Sequence, residues 1–154
     1  MPQKPLKVLC VCLEDTTWPP IFARLLQAAF HDCDVEASVE SAGVISARDV
    51  PFITGEDLSP MAKGILERFE YGETGHKSRN VADLFGQQFD KVICISTQAD
   101  LRIRQMNPAW VPNILCLGKV REFDFPLPED EITCISFASH LSRIAKTLAG
   151  QLQT

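Results

Sequence analysis

Lys7-Val8-Leu9-Cys10-Val11 is a short apolar run that opens on a lysine, and Cys12 follows it directly. Eight residues later begins Pro20-Ile21-Phe22-Ala23-Arg24-Leu25-Leu26-Gln27-Ala28-Ala29-Phe30, with apolar positions at helical spacing. A strand buried on both faces, then an amphipathic helix, is how a βαβ unit starts. The same alternation runs along the chain. It predicts strands at Lys7–Val11, Val35–Ala42, Lys91–Ser96 and Ile114–Leu117. Helices are predicted at Pro20–His31, Ser59–Phe69, Val81–Phe85, Thr97–Gln105 and Pro128–Gln151. The last helix has a proline near its first position, Glu129-Asp130-Glu131 in its first turn, and Arg143 and Lys146 further on. Ile132, Ile135, Ala138, Leu141, Ile144, Ala145 and Leu148 form its apolar stripe. The expected fold is therefore α/β: a three-layer sandwich with a four-stranded parallel sheet, in a single domain over residues 1–154. Arg48–Asp57 and Arg121–Pro128 are the two longest irregular segments, and loops of this kind build the site in such folds.

Charge and composition remove several function classes. The net charge of −5 gives no general attraction to nucleic acid or to anionic lipid. No apolar run approaches the roughly 20 residues of a membrane span. Met1-Pro2-Gln3-Lys4-Pro5 lacks a signal-peptide layout, so a cytoplasmic location is expected. Cys10, Cys94 and Cys116 sit in strand-like apolar runs, where a cysteine behaves as a small hydrophobe, and reduced thiols are expected. The cysteine spacings match no zinc pattern, and no metal or cofactor is expected.

Several segments, in this order, resemble the low-molecular-weight protein tyrosine phosphatases, which share a fold with thioredoxin-linked arsenate reductases. Lys7-Val8-Leu9-Cys10-Val11-Cys12-Leu13 is similar to that family's first strand and nucleophile, and Pro20-Ile21-Phe22-Ala23 to the start of its first helix. Ser41-Ala42-Gly43-Val44 resembles a Ser-Ala-Gly-Thr strand end, and His76-Lys77-Ser78-Arg79 a His-x-x-Arg segment. Phe89-Asp90-Lys91-Val92-Ile93 resembles the strand that follows. The resemblance implies a phosphate-binding loop spanning Leu13, Glu14, Asp15, Thr16, Thr17, Trp18 and Pro19, with Cys12 as its nucleophile.

The departures fall on that loop. The family motif is Cys-x5-Arg-Ser; here Trp18 takes the arginine position and Pro19 the serine position. Such a loop holds phosphate with successive backbone N–H groups, a helix N-terminus and the arginine fork. The same positive field activates the cysteine. Trp18 brings no charge, Pro19 no N–H, and Glu14 and Asp15 add up to two negative charges. The family's general-acid aspartate precedes a proline. Aligning Phe125-Pro126-Leu127-Pro128 to that place puts Leu127 at the acid position, with Asp124 three residues away as the candidate. An arginine on a transferring phosphoryl group is worth about 10³–10⁵ in rate. A general acid adds about 10²–10⁴. Arg24, Arg48 and Arg79 are the cations to consider as replacements, and rescue by any of them is disfavoured.

The expectation is a phosphatase-like protein without catalysis, acting as a binding or regulatory module, with Cys12 a vestigial nucleophile. An active tyrosine phosphatase or arsenate reductase with unusual site residues is the alternative. The arsenate route is disfavoured further because Ser78–Asp90 contains no cysteine. A cysteine phosphoryl carrier, which resembles this layout and works without the arginine, is a further alternative. Trp18 is either a plug in the emptied anion pocket, the preferred reading, or an exposed anchor for a partner. His76–Arg79 is expected to be a turn with a solvated basic face, and Trp110 a packing residue. The partner or ligand is left open, as is homo-oligomer formation.

Overall fold

The computed structural model describes residues 5–13, 15, 17–44, 55–71, 75–117 and 131–152, with residues 131–133 described by their backbone alone. The strands are β1 (Leu6–Cys12), β2 (Ala37–Gly43), β3 (Lys91–Cys94) and β4 (Ile114–Cys116). They form one parallel sheet in the order β2-β1-β3-β4. The helices are α1 (Trp18–Asp32), α2 (Pro60–Arg68), α3 (Thr97–Met106) and α4 (Glu131–Gln151). Short 3-10 turns at Val81–Leu84 and Pro108–Asn113 complete the described elements.

Period-two alternation along β1 divides the core. Val8, Cys10 and Cys12 face α1, α2 and α4, whereas Leu9 and Val11 face α3, the 3-10 turns and Trp110. Both faces are covered, so β1 is buried from Val8 onward and reads in sequence as an unbroken apolar run. This is the three-layer sandwich expected from the alternating pattern.

Three boundaries move, each for a local reason. α1 begins at Trp18, two residues before the predicted start, because Pro19 and Pro20 suit the first turn of a helix, where a missing N–H breaks no bond. β2 begins at Ala37 rather than Val35. The Val35 N–H donates back to Phe30 O at 2.9 Å and Asp34 takes φ 57°, so these residues form the closing motif of α1. The predicted helix at Val81–Phe85 is a single 3-10 turn capped by Asn80, whose side chain accepts from the Ala82 N–H. The predicted helix start at Pro128, with Glu129 and Asp130, lies outside the described residues. No helix among the described residues is long and apolar enough to cross a membrane.

Candidate functional site

β1 delivers Cys12 to the carboxyl edge of the sheet, where open α/β folds place their ligands. Cys12 lies beside Gly43 of β2, and its carbonyl accepts the Val44 N–H at 3.0 Å. The thiol is almost fully buried, 6% exposed, within the cluster that also holds Trp18. One residue pair back, Cys10 is completely buried, and burial, Asp15 and Cys94 together push its thiol well above the ordinary range. All six cysteines are free thiols.

The loop from Leu13 to Thr17 then turns into α1. A helix leaves its first four N–H groups without intrahelical partners, and these groups hold an anion at such an end. Here they belong to Thr17, Trp18, Pro19 and Pro20, so two of them do not exist. Pro19 is the lost donor already noted in the sequence, and Pro20 is a second. The Thr17 hydroxyl makes no cap; it lies 2.8 Å from the hydroxyl of Ser59, the residue that caps α2.

Trp18 is 6% exposed and meets Phe137 of α4 edge to face, with ring centroids 4.8 Å apart and planes at 79°. That geometry is favourable for an aromatic pair. A side chain this buried presents no anchor to a partner, so the ring acts as packing between α1 and α4. Its partner was not visible in the sequence, since Phe137 lies off the stripe predicted for the last helix.

Asp15 does not project from the loop. Its side chain is fully buried, and Oδ2 accepts the Arg79 N–H at 2.8 Å. His76 reaches the same residue: Nε2 bonds the Asp15 carbonyl and lies 3.6 Å from Oδ2. A carbonyl only accepts, so Nε2 carries the hydrogen. Oδ1 has no hydrogen-bond partner among the described residues. Burial pushes the Asp15 carboxyl up from 3.8 to about 6. The Ser41 hydroxyl, the Arg79 N–H and the charges of His76 and Arg79 pull it the other way.

The His76–Arg79 segment is therefore a strap over the loop and not a solvated basic turn. Lys77 is exposed and paired with Asp57, but Ser78 is buried and exchanges bonds with Gly55 and Glu56. The Arg79 guanidinium is held by Glu40 Oε1 at 3.0 Å and by Ser41 O at 3.1 Å. Arg24 lies over the Tyr71 ring, 4.6 Å from its centroid. Both side chains are engaged by these partners. Arg48, Glu14, Thr16, Asp124 and Leu127 lie outside the described residues. Among the described residues no group of three or more His, Cys, Asp or Glu side chains is placed to hold a metal ion.

A parallel sheet of order β2-β1-β3-β4, with a cysteine ending β1 and a short loop into α1, has close counterparts among solved structures. The fold is that of the low-molecular-weight protein tyrosine phosphatases. The phosphatase of this class from T. tengcongensis superposes with a TM-score of 0.81 at 18% identity, over 96% of this chain and 99% of that one. The YwlE arginine phosphatase from Geobacillus stearothermophilus gives 0.78 at 21%, over 97% and 94%. Vibrio vulnificus Wzb in complex with benzylphosphonate gives 0.79 at 18%, over 96% and 99%. No protein-family model matches the sequence, and no curated protein does.

Proposed function

We propose that this protein is a non-catalytic member of the phosphatase fold that works by binding, as a regulatory or adaptor module. The observation that carries this is the first turn of α1. The position of the phosphate-binding arginine holds a tryptophan packed on Phe137, and the next two residues have no N–H. Losing the arginine alone is worth about 10³–10⁵ in rate. The donors that would bind the ground-state anion are reduced by the same substitutions. A reading as an active phosphatase or an arsenate reductase needs another cation at the loop, whereas the cysteine phosphoryl carrier, which works without the arginine, is disfavoured by the acidic residues Glu14 and Asp15. Arg24 and Arg79 are engaged with Tyr71 and with Glu40 and Ser41.

The test is turnover of an aryl phosphate such as para-nitrophenyl phosphate by the full chain, beside its Cys12→Ser variant. The expected rate is the same for both. Turnover that disappears in Cys12→Ser would overturn the proposal and show that a cation reaches the loop.

A further inference from the structure

β2 is an edge strand, and its outer edge is closed by side chains. Gln27, on α1, donates from Nε2 to Ala37 O at 2.9 Å and accepts the Val39 N–H on Oε1 at 3.1 Å. One residue of a parallel strand makes the same two bonds, to the carbonyl and the N–H flanking the residue opposite it. A carboxamide is chemically a peptide unit, so Gln27 imitates one residue of a missing fifth strand. Further along the edge, Arg79 Nη2 donates to Ser41 O, and the Gly43 N–H donates to Arg79 O at 2.9 Å. There the chain makes a real parallel bridge, Gly43 with Asn80. The edge is thus already paired in the parallel sense at its top and occupied by a removable side chain below.

A groove of about 480 Å³ runs beside this edge. Pro20, Ala23 and Val39 give it apolar walls. Arg24, Lys77 and Arg79 line it with cations, Lys77 paired with Asp57 and Arg79 with Glu40, the one lining carboxylate among the described residues. The cations stand out on a chain whose net charge is −5. We infer that this groove binds a short extended acidic segment of a partner protein, which adds to β2 as a parallel strand by displacing the Gln27 amide. Main-chain bonds would supply affinity, and alternate side chains would reach the apolar wall and the cations. The groove shares Pro20, His76 and Arg79 with the surroundings of the loop, but Cys12 does not line it, and the inference stands whether or not Cys12 turns over a substrate.

The test uses the full chain and two fluorescein-labelled hexapeptides, one alternating Glu and Val and one alternating Lys and Val, in fluorescence anisotropy. The Glu-Val peptide is expected to bind about tenfold tighter than the Lys-Val peptide, the discrimination expected of complementary charge. Arg24→Glu should weaken Glu-Val binding. Lys77→Glu, at a side chain 61% exposed, is the second charge reversal, with little reach into the core. Gln27→Ala should tighten binding about tenfold, because the peptide no longer displaces two hydrogen bonds. Equal or absent binding of the two peptides overturns the inference, as does weaker binding by Gln27→Ala. Self-association of Gln27→Ala that the Glu-Val peptide fails to reverse also overturns it, because the edge then takes a second copy of this chain.

Discussion

Replacing Asp15 by Asn should stabilise this protein at neutral pH and leave it little changed in acid. The native carboxyl is buried, and its pKa is raised from 3.8 to about 6, chiefly by desolvation. A carboxyl raised in the folded state means that the fold prefers its protonated form. The associated stability is fully present below pH 3.8 and is lost as pH rises through about 6. The interval between the two values, at about 1.4 kcal/mol per pKa unit, corresponds to about 3 kcal/mol lost by pH 8. Asn keeps an acceptor for the Arg79 N–H but carries no charge. Its extra N–H pair needs acceptors, and an unsatisfied one would cost about 1–3 kcal/mol. That cost is the same at every pH, so the decisive quantity is how the difference between variant and native protein changes with pH. Urea unfolding followed by tryptophan fluorescence at pH 4, 5, 6, 7 and 8 should show the difference moving in favour of Asn by about 3 kcal/mol from pH 4 to pH 8. His76→Gln removes a charge that lowers the Asp15 pKa, so the midpoint should shift above 6. A flat difference from pH 4 to pH 8, or a variant that loses ground as pH rises, would refute the claim that a buried charge is held beneath the strap.

Two further outcomes follow from the same site. Trp18→Ala should destabilise the protein by about 3–5 kcal/mol, because the ring fills the α1–α4 contact, and denaturant unfolding measures it; a loss under 1 kcal/mol would mean the site collapses around the gap. The set Trp18→Arg, Pro19→Ser, Glu14→Gly and Asp15→Asn should gain a vanadate-dependent thermal shift before it gains turnover, and Leu127→Asp should then improve turnover. A folded quadruple variant unmoved by millimolar vanadate would show that the loop backbone, with Pro20 still withholding its N–H, has left the phosphate-binding shape.

The layers were legible in the sequence because each depends on a local pattern. The unbroken apolar run Val8–Cys12 and the stripe Ile21, Phe22, Leu25, Leu26, Ala29 and Phe30 specify buried faces without knowledge of what covers them. All four strands and the principal helices followed, with differences at termini and at Val81–Leu84, which is a 3-10 turn. Val35 reads as strand, for example, until its N–H is seen to close α1 on Phe30. Trp18 at the position that the resemblance gives to an arginine was equally legible, since it rests on residue type at a fixed spacing from Cys12.

What stayed hidden is every contact made at long range in the chain. Asp15 reads as a surface charge beside an anion, and only the fold brings Arg79 N–H and His76 onto it. Arg79 reads as a solvated cation until Glu40 and Ser41 come alongside. These contacts change how the loop is understood. In sequence, four substitutions look like parts removed from a phosphate site. In the structure three of them are built in: Trp18 joins two helices, Pro19 with Pro20 starts one, and Asp15 fastens the strap. Interactions of this kind are worth one to several kcal/mol each, and they act against any return to anion binding. On the proposed reading, phosphate binding would require rebuilding a packed structure as well as placing an arginine, which is why the four-residue repair should cost stability as it gains affinity.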